Sequence, residues 1–256
     1  MAADSNLQIP LRREFKYLVA REQISALRAG LQGLCRRDPH SGPDGTYRLR
    51  SLYLDTPDLR LFHANEREAV RRFKARIRTY PDAKQAPVIS EIKDRSGDII
   101  RKIRGFLPQD DWTSFFVPGG LSAKADPAVE VFSSRVLRHD LRPVCLVEYH
   151  REAWVSEWDE YARVSIDTRI QCQSTHEWTL DPRGSWRPID HALLSWTTGS
   201  VCVVELKWAE VPPMWMIRLV QQLDLLRHSF SKYCYSMASL SEDHYRDYRR
   251  ASSTWA

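Results

Sequence analysis

In the stretch RRFKARIRTY, residues 71–80, Arg72, Lys74, Arg76 and Arg78 fall on every second position, with Phe73, Ala75, Ile77 and Thr79 between them. Successive residues of a strand point to opposite faces. As a strand, this segment therefore carries four cations on one side and a mostly apolar row on the other. Unpaired charge is costly to bury, so water or an anion must answer that row. The same parity recurs along the chain. Glu14 and Lys16 share a face, as do Glu91 and Lys93, Tyr149 and Arg151, then Arg163, Ser165 and Asp167, and finally Glu205 and Lys207.

An antiparallel sheet with one wet face accounts for any single strand of this kind. Two features of the set point elsewhere. E-x-K occurs three times, at 14/16, 91/93 and 205/207, and the charged face is mostly Arg and Lys rather than Thr, Ser and Gln. A closed barrel offers a second solution, with a polar lumen and an apolar outer wall covered by helices. A lumen with roughly twice as many cations as carboxylates cannot stay dry and calls for water and a polyanion. Phosphate chains suit bidentate guanidinium and compact ammonium groups, and the minority carboxylates suit a divalent metal that bridges phosphate oxygens.

About eight strands are expected, at 11–19, 47–55, 70–80, 87–94, 98–106, 143–155, 161–170 and 200–208. REQISALRAGLQ and DPAVEVFSSRVLRHDL are expected helices. TPDLRLFHANE is expected to open with Thr56 as N-cap and Pro57 at the first helical position. PPMWMIRLVQQLDLLRH sets Trp215, Leu219, Leu223 and Leu226 on one core-facing stripe. The expected fold is α+β: an eight-stranded antiparallel β-barrel with helices packed outside, one domain over residues 1–256.

The 43% apolar fraction and nine Trp exclude a wholly disordered chain. A net charge of +5 permits an anionic partner without requiring one. Cys35, Cys145, Cys172, Cys202 and Cys234 form no C-x-x-C pair, so reduced buried thiols are expected rather than a zinc site or disulfide framework. The first residues do not read as a secretory signal and no apolar run reaches a membrane span, which gives a cytoplasmic expectation. No G-x-S-x-G elbow or H-E-x-x-H motif is present, and no nucleic-acid motif accompanies the basic strands. Asp55 in LDTPD is expected to end a strand and start a helix, and the Trp-rich stretch from Trp178 to Trp196 to pack.

REFKYLV, LRSLYLDTPD, RFKARIRTY, SEIKDR, VEYHREAW, RVSIDT, VVELKW and SFSKYC, in this order, resemble the VTC (vacuolar transporter chaperone, polyphosphate polymerase) domain family of the triphosphate tunnel metalloenzyme superfamily. The resemblance implies an eight-stranded triphosphate tunnel. It implies phosphate-binding or catalytic roles for Arg76, Arg78, Lys93, Arg151 and Arg163, and substrate contacts from Lys16, Lys207, Ser231 and Lys232. Glu205 is the implied metal ligand, with Mn2+ or Mg2+ as cofactor, and Glu14, Glu91 and Asp167 are supporting candidates. Arg72 and Lys74 are expected nearer a tunnel mouth. Arg12 stands where the wider superfamily has the first glutamate of E-x-E-x-K, which favours the VTC branch over a two-metal triphosphatase.

The expected activity is metal-dependent phosphoryl transfer from ATP to orthophosphate or polyphosphate, that is, polyphosphate synthesis. Hydrolysis of triphosphate or polyphosphate is the first alternative and a non-catalytic polyphosphate-binding accessory module the second. Nucleic acid is not an expected partner, no membrane span is expected in the chain, and an unidentified protein partner is left open.

Overall fold

The computed structural model describes residues 13–97, 99–117, 126–159, 161–190 and 200–241. Arg12, Asp98, Trp196, most of the 118–126 loop and the YRDYRR tail lie outside them. The strands are β1 (Arg13–Ala20), β2 (Cys35–Arg37), β3 (Tyr47–Asp55), β4 (Arg71–Thr79), β5 (Val88–Ser96), β6 (Ile99–Leu107), β7 (Arg142–Ser156), β8 (Arg163–Ser174), β9 (Arg187–Pro188) and β10 (Val201–Trp208). Eight of them form one antiparallel path, β1-β10-β8-β7-β3-β4-β5-β6, with β2 paired to β7 and β9 to β8. The two short strands β2 and β9 escape the sequence pattern because they are too brief to show a period.

The path curls until its ends face each other. Glu14 on β1 lies 3.5 Å from Lys93 on β5 and 3.9 Å from Lys102 on β6, although no ladder joins β1 to β6 among the described residues. The tunnel is thus a curled half-barrel whose seam is bridged by ion pairs.

Alternation sorts the core as the pattern demands. On the convex face, Tyr17, Val164, Ile166, Val204 and Leu206 pack with Leu27 and Leu31 of α1 (Ile24–Leu31) and with Met216 and Leu219 of α4 (Met214–Gln222). Further round, Leu52, Ala75, Ile77, Ile92 and Leu146 pack with Val129, Phe132 and Val136 of α3 (Pro127–His139). Asp126 caps α3, its side chain accepting from Ala128 N at 2.8 Å, with Pro127 at the first turn. At Gly105 of β6 an added Cβ would lie 2.6 Å from Val129 Cγ2 and 2.8 Å from Val129 N, so α3 approaches the sheet where there is no side chain.

Three expectations need correction. Not every helix lies outside: helical residues 232–241 sit in the concave face, where Phe230, Tyr233 and Met237 pack on Leu49, Tyr53, Val147, Ile170 and Val203. Those inward-facing apolar residues give part of the lumen a core of its own. The second helix, α2 (Arg60–Glu66), begins later than expected. Leu59, in left-handed geometry, is its N-cap, while Thr56 Oγ1 accepts from Arg60 N at 2.9 Å. Asp55 accepts from the backbone N–H groups of Thr56, Leu61 and Phe62 and from the Tyr233 hydroxyl, so its expected structural role holds. Finally, α4 ends at Gln222 and Leu226 is 76% exposed, because the chain turns through Asp224 at φ 47°. The expected stripe therefore stops at Leu223, which packs with Trp215 against the core. Trp178 and Trp186 pack beside the second core cluster, and the five cysteines are free and buried, as expected.

Candidate functional site

Strand register brings the charged parities onto the concave face. Lys16 pairs across the ladder with Glu205, Glu205 with Ser165, and Arg151 with Asp167. On the other wall Ser51 pairs with Arg78, Tyr53 with Arg76, Arg76 with Glu91, and Glu91 with Arg104. Between Glu148 and His150 the β7–β8 register shifts, and Arg169 there has φ 50°. This β-bulge keeps both Asp167 and Ile170 facing inward.

Glu205 is the centre of the first cluster. Its carboxylate lies 2.6 Å from Lys207 Nζ, 3.2 Å from Arg151 Nη2, 3.4 Å from Lys16 Nζ and 3.7 Å from Lys232 Nζ, and it accepts from Ser165 Oγ at 3.3 Å. Burial pushes its pKa up, but Lys207, Lys16, Arg151 and Lys232 together hold it well below the usual carboxylate range. Asp167 takes a two-pronged contact from Arg151 at 2.6 and 2.7 Å and one from Lys232 at 2.5 Å. It too is held low against burial, by Arg151 first and then Lys232.

Glu91 organises the opposite wall. Arg76 reaches it at 2.5 Å, Arg104 at 2.7 Å and Arg78 at 3.1 Å, while Arg76 Nη1 also donates to the Tyr53 hydroxyl at 3.2 Å. Among the described residues, two buried polar atoms here have no hydrogen-bond partner: Arg78 Nε and the Oγ of Ser51, its cross-strand neighbour. A buried donor left in this way is expensive unless an oxygen from elsewhere answers it.

Glu14 sits between these groups and the seam, 3.7 Å from Lys16 and 3.5 Å from Lys93. Burial and the neighbouring Glu205 raise its pKa, yet Lys93, Lys207 and Lys16 bring it below the usual range. Beyond it the lumen widens into a cavity of about 560 Å3 that reaches Lys74, Ser231 and the edge of α2. Lys74 donates to Ser231 Oγ at 2.7 Å, and burial draws its pKa down to about 7.

Every sequence-predicted site residue except Arg163 is thus half-buried or buried in the lumen. Arg163 is exposed at the rim, its guanidinium 5.9 Å from the Tyr161 ring and its backbone opposite Lys207. Lys102, Arg104 and Tyr53 also line the lumen and were not singled out from the sequence. The alternation in IIRKIRGF carried the first two, since the β5–β6 register sets Lys102 against Lys93 and Arg104 against Glu91. Among the described residues no group of three or more His, Cys, Asp or Glu is arranged to hold a metal ion, and no helix is long and apolar enough to cross a membrane.

A solved structure shares this architecture. A candidate adenylate cyclase from Bacillus halodurans superposes with a TM-score of 0.51 at 13% identity, over 87% of this chain and 94% of that one. The PH1819 protein from Pyrococcus horikoshii gives a TM-score of 0.47 at 12% identity, over 91% and 98%. No curated protein sequence matches the chain. The VTC domain model matches residues 11–241, a range that contains the whole curled sheet, its inward-facing charges and the helical segment within it. The chain is therefore a member of the VTC domain family, built on a triphosphate-tunnel fold.

Proposed function

We propose that the protein transfers a phosphoryl group from a nucleoside triphosphate, ATP, to orthophosphate or to a growing polyphosphate chain. The observation that carries this reading is the wall of fixed cations around Glu91, with Arg78 Nε and Ser51 Oγ buried and unanswered beside them. Triphosphate oxygens are the acceptors such a wall suits, because guanidinium groups pair with them bidentately. The VTC assignment and the tunnel fold support phosphoryl chemistry on triphosphates at this coarser level.

In this reading Arg76, Arg78, Lys93 and Arg151 hold the transferring and leaving phosphates, with Lys16, Lys207, Ser231 and Lys232 extending the track. Arg163 guides substrate at the rim. Phosphoryl transfer depends on positioning and on stabilising charge, so no nucleophilic side chain is required. The carboxylates keep the cations apart and oriented before substrate arrives. When an oxygen of substrate replaces a carboxylate oxygen, each guanidinium is already aimed at the lumen.

The donor set suits a divalent ion that enters with the nucleotide rather than a resident one. Glu205 and Glu14 meet across Lys16, at 3.4 and 3.7 Å from its Nζ, and Mg2+ or Mn2+ commonly takes one or two carboxylates together with phosphate oxygens and water. Glu205, with Glu14 beside it, would hold the ion, which supplies further charge neutralisation to the phosphates when bound.

The test is to incubate the protein with ATP and Mn2+ and to measure ADP, free phosphate and polymer separately. ADP with polyphosphate supports the reading. Free phosphate without polymer makes the protein a hydrolase, and retained polyphosphate binding without turnover makes it an accessory module.

A further inference from the structure

Three amines line the cavity of about 560 Å3 at the widened end of the lumen: Lys16, Lys74 and Lys93. Lys16 and Lys93 each lie within 4 Å of a Glu14 oxygen, and Lys16 also of Glu205. Among the described residues Lys74 has no carboxylate that close, and its Nζ donates instead to Ser231 Oγ at 2.7 Å. Arg72 lines the same cavity, but a guanidinium stays protonated and offers no lone pair for attack. Lys93 stands directly across the ladder from Lys74, and like charges so placed repel. Burial, and then Lys16, Lys93 and Arg72, draw the Lys74 pKa down to about 7, with the Cys234 thiol opposing. Glu66, Glu68, Arg95, Arg227 and His228 complete the titratable lining. At about pH 7.5 most of Lys74 is therefore uncharged, whereas an ordinary lysine is uncharged in roughly one chain in a thousand.

We propose that Lys74 is a modification site for carbon dioxide: its amine, opening on this cavity and held by Ser231, takes up CO2 as a lysine carbamate that sits among Lys16, Arg72 and Lys93. The Nζ lone pair forms a bond to the CO2 carbon, one carbon–oxygen π bond opens onto its oxygen, and an N–H proton leaves to water. No oxidant or reductant takes part. The product is an anion, so the repulsion between Lys74 and Lys93 across the ladder becomes attraction, and the neighbouring cations gain a counter-charge. Ser231 Oγ already accepts from Lys74 Nζ and, at 3.2 Å, from Cys234 N. With both acceptor positions used, its hydroxyl keeps an O–H to donate to a carbamate oxygen. The cavity leaves ample room for the three added atoms. An anion at this position also opposes entry of a polyanion into the lumen, so CO2 acts as a brake on substrate binding. That consequence rests on the proposed phosphoryl transfer, whereas formation of the carbamate does not.

The experiment equilibrates the full chain with 13C-labelled bicarbonate at about pH 7.5, traps carbamates with a trialkyloxonium salt and locates the labelled residue by mass spectrometry. Label is expected on Lys74 in preference to Lys16 and Lys93. Carbon-13 NMR of the untrapped sample should show a carbamate resonance that is lost in Lys74→Met and in Lys74→Arg. At equal dissolved CO2 the resonance should fall about tenfold at about pH 5.5, where the amine is protonated. No label on Lys74 of the unaltered protein, or label spread evenly over the three lysines, overturns the site, and neither result depends on a variant folding. Tripolyphosphate binding is then measured by calorimetry, with a chelator present, in CO2-free and CO2-equilibrated buffers of equal ionic strength. Binding is expected to be about fivefold weaker with CO2, and the difference should vanish in Lys74→Arg. A difference that persists in Lys74→Arg marks competition by bicarbonate and overturns the brake. Absence of ATP turnover in the unaltered protein overturns the proposed function instead, and leaves the labelling result to stand.

Discussion

Lys232 Nζ lies 2.5 Å from Asp167 Oδ2, and both residues are buried, Asp167 completely. The contact joins the helical segment in the concave face to β8, and the same lysine reaches Glu205 at 3.7 Å and the Tyr149 ring at 4.5 Å. Asp167 draws the Lys232 pKa well above its ordinary value despite the opposing effect of burial. Helical residues 232–241 are therefore held by charge as well as by the packing of Tyr233 and Met237.

Breaking that pair from one side leaves a buried charge without its partner. Lys232→Met is expected to lower stability by about 3–5 kcal/mol, read from the midpoint of urea unfolding. Asp167→Asn should cost a similar amount, and the double variant less than the sum. Full additivity would mean that the two side chains do not act as a unit.

Glu205 answers four cations at once. Glu205→Gln is expected to reduce metal-dependent turnover about 100-fold. It should also lower the unfolding temperature in phosphate-free buffer, because Lys16, Lys207, Arg151 and Lys232 lose their shared counter-charge. Added tripolyphosphate should restore part of that temperature by binding the folded state. A variant as stable and as active as the parent would remove Glu205 from both roles.

Stability should also report the titration of Lys74. Its folded pKa, about 7, lies below the ordinary value of 10.5, so between these limits the unfolded chain holds a proton that the folded chain has released. Burial is the main cause, with Lys16, Lys93 and Arg72 adding to it while Cys234 opposes. This group therefore makes stability rise as pH climbs from about 7 toward 10.5, and Lys74→Met should flatten the rise. Glu14, Glu91, Asp167 and Glu205 act in the other window. Their folded pKa values are depressed, so their contribution is present above the ordinary carboxylate range and lost as pH falls through the folded values. Urea unfolding across pH 3–10 tests both slopes.

Gly105 makes a purely steric prediction. Gly105→Ala drives a Cβ into the backbone and side chain of Val129 at the start of α3, where neither partner can simply rotate away. A loss of about 1–3 kcal/mol is expected from thermal unfolding, with phosphate binding at the Glu91 cluster weakened if β6 shifts and carries Arg104 with it.

Most of the sheet was legible in the chain because a strand writes its environment at period two. Ala75 and Ile77 had to face apolar packing, and Arg76 and Arg78 had to face something else, whichever way the sheet closed. The same rule placed Glu205 with Lys207 and Arg163 with Asp167. Glycine 105, the bulge at Arg169 and the left-handed cap at Leu59 carried no such signal, since each answers a contact made by a distant element.

The sequence by itself determined the faces: which residues of each strand share a side, and that the shared side is cationic with carboxylates in the minority. Only the tertiary structure decided the partners. Strand order sets Glu205 among Lys16, Arg151, Lys207 and Lys232, gathers Arg76, Arg78 and Arg104 on Glu91, and leaves Lys74 with Ser231 and, among the described residues, no carboxylate within 4 Å. Ion pairing depends on separations of a few ångströms, and those are fixed by ladder register, by the curl that brings β1 to β6, and by a helix folded into the concave face. None of these is a local property of the chain.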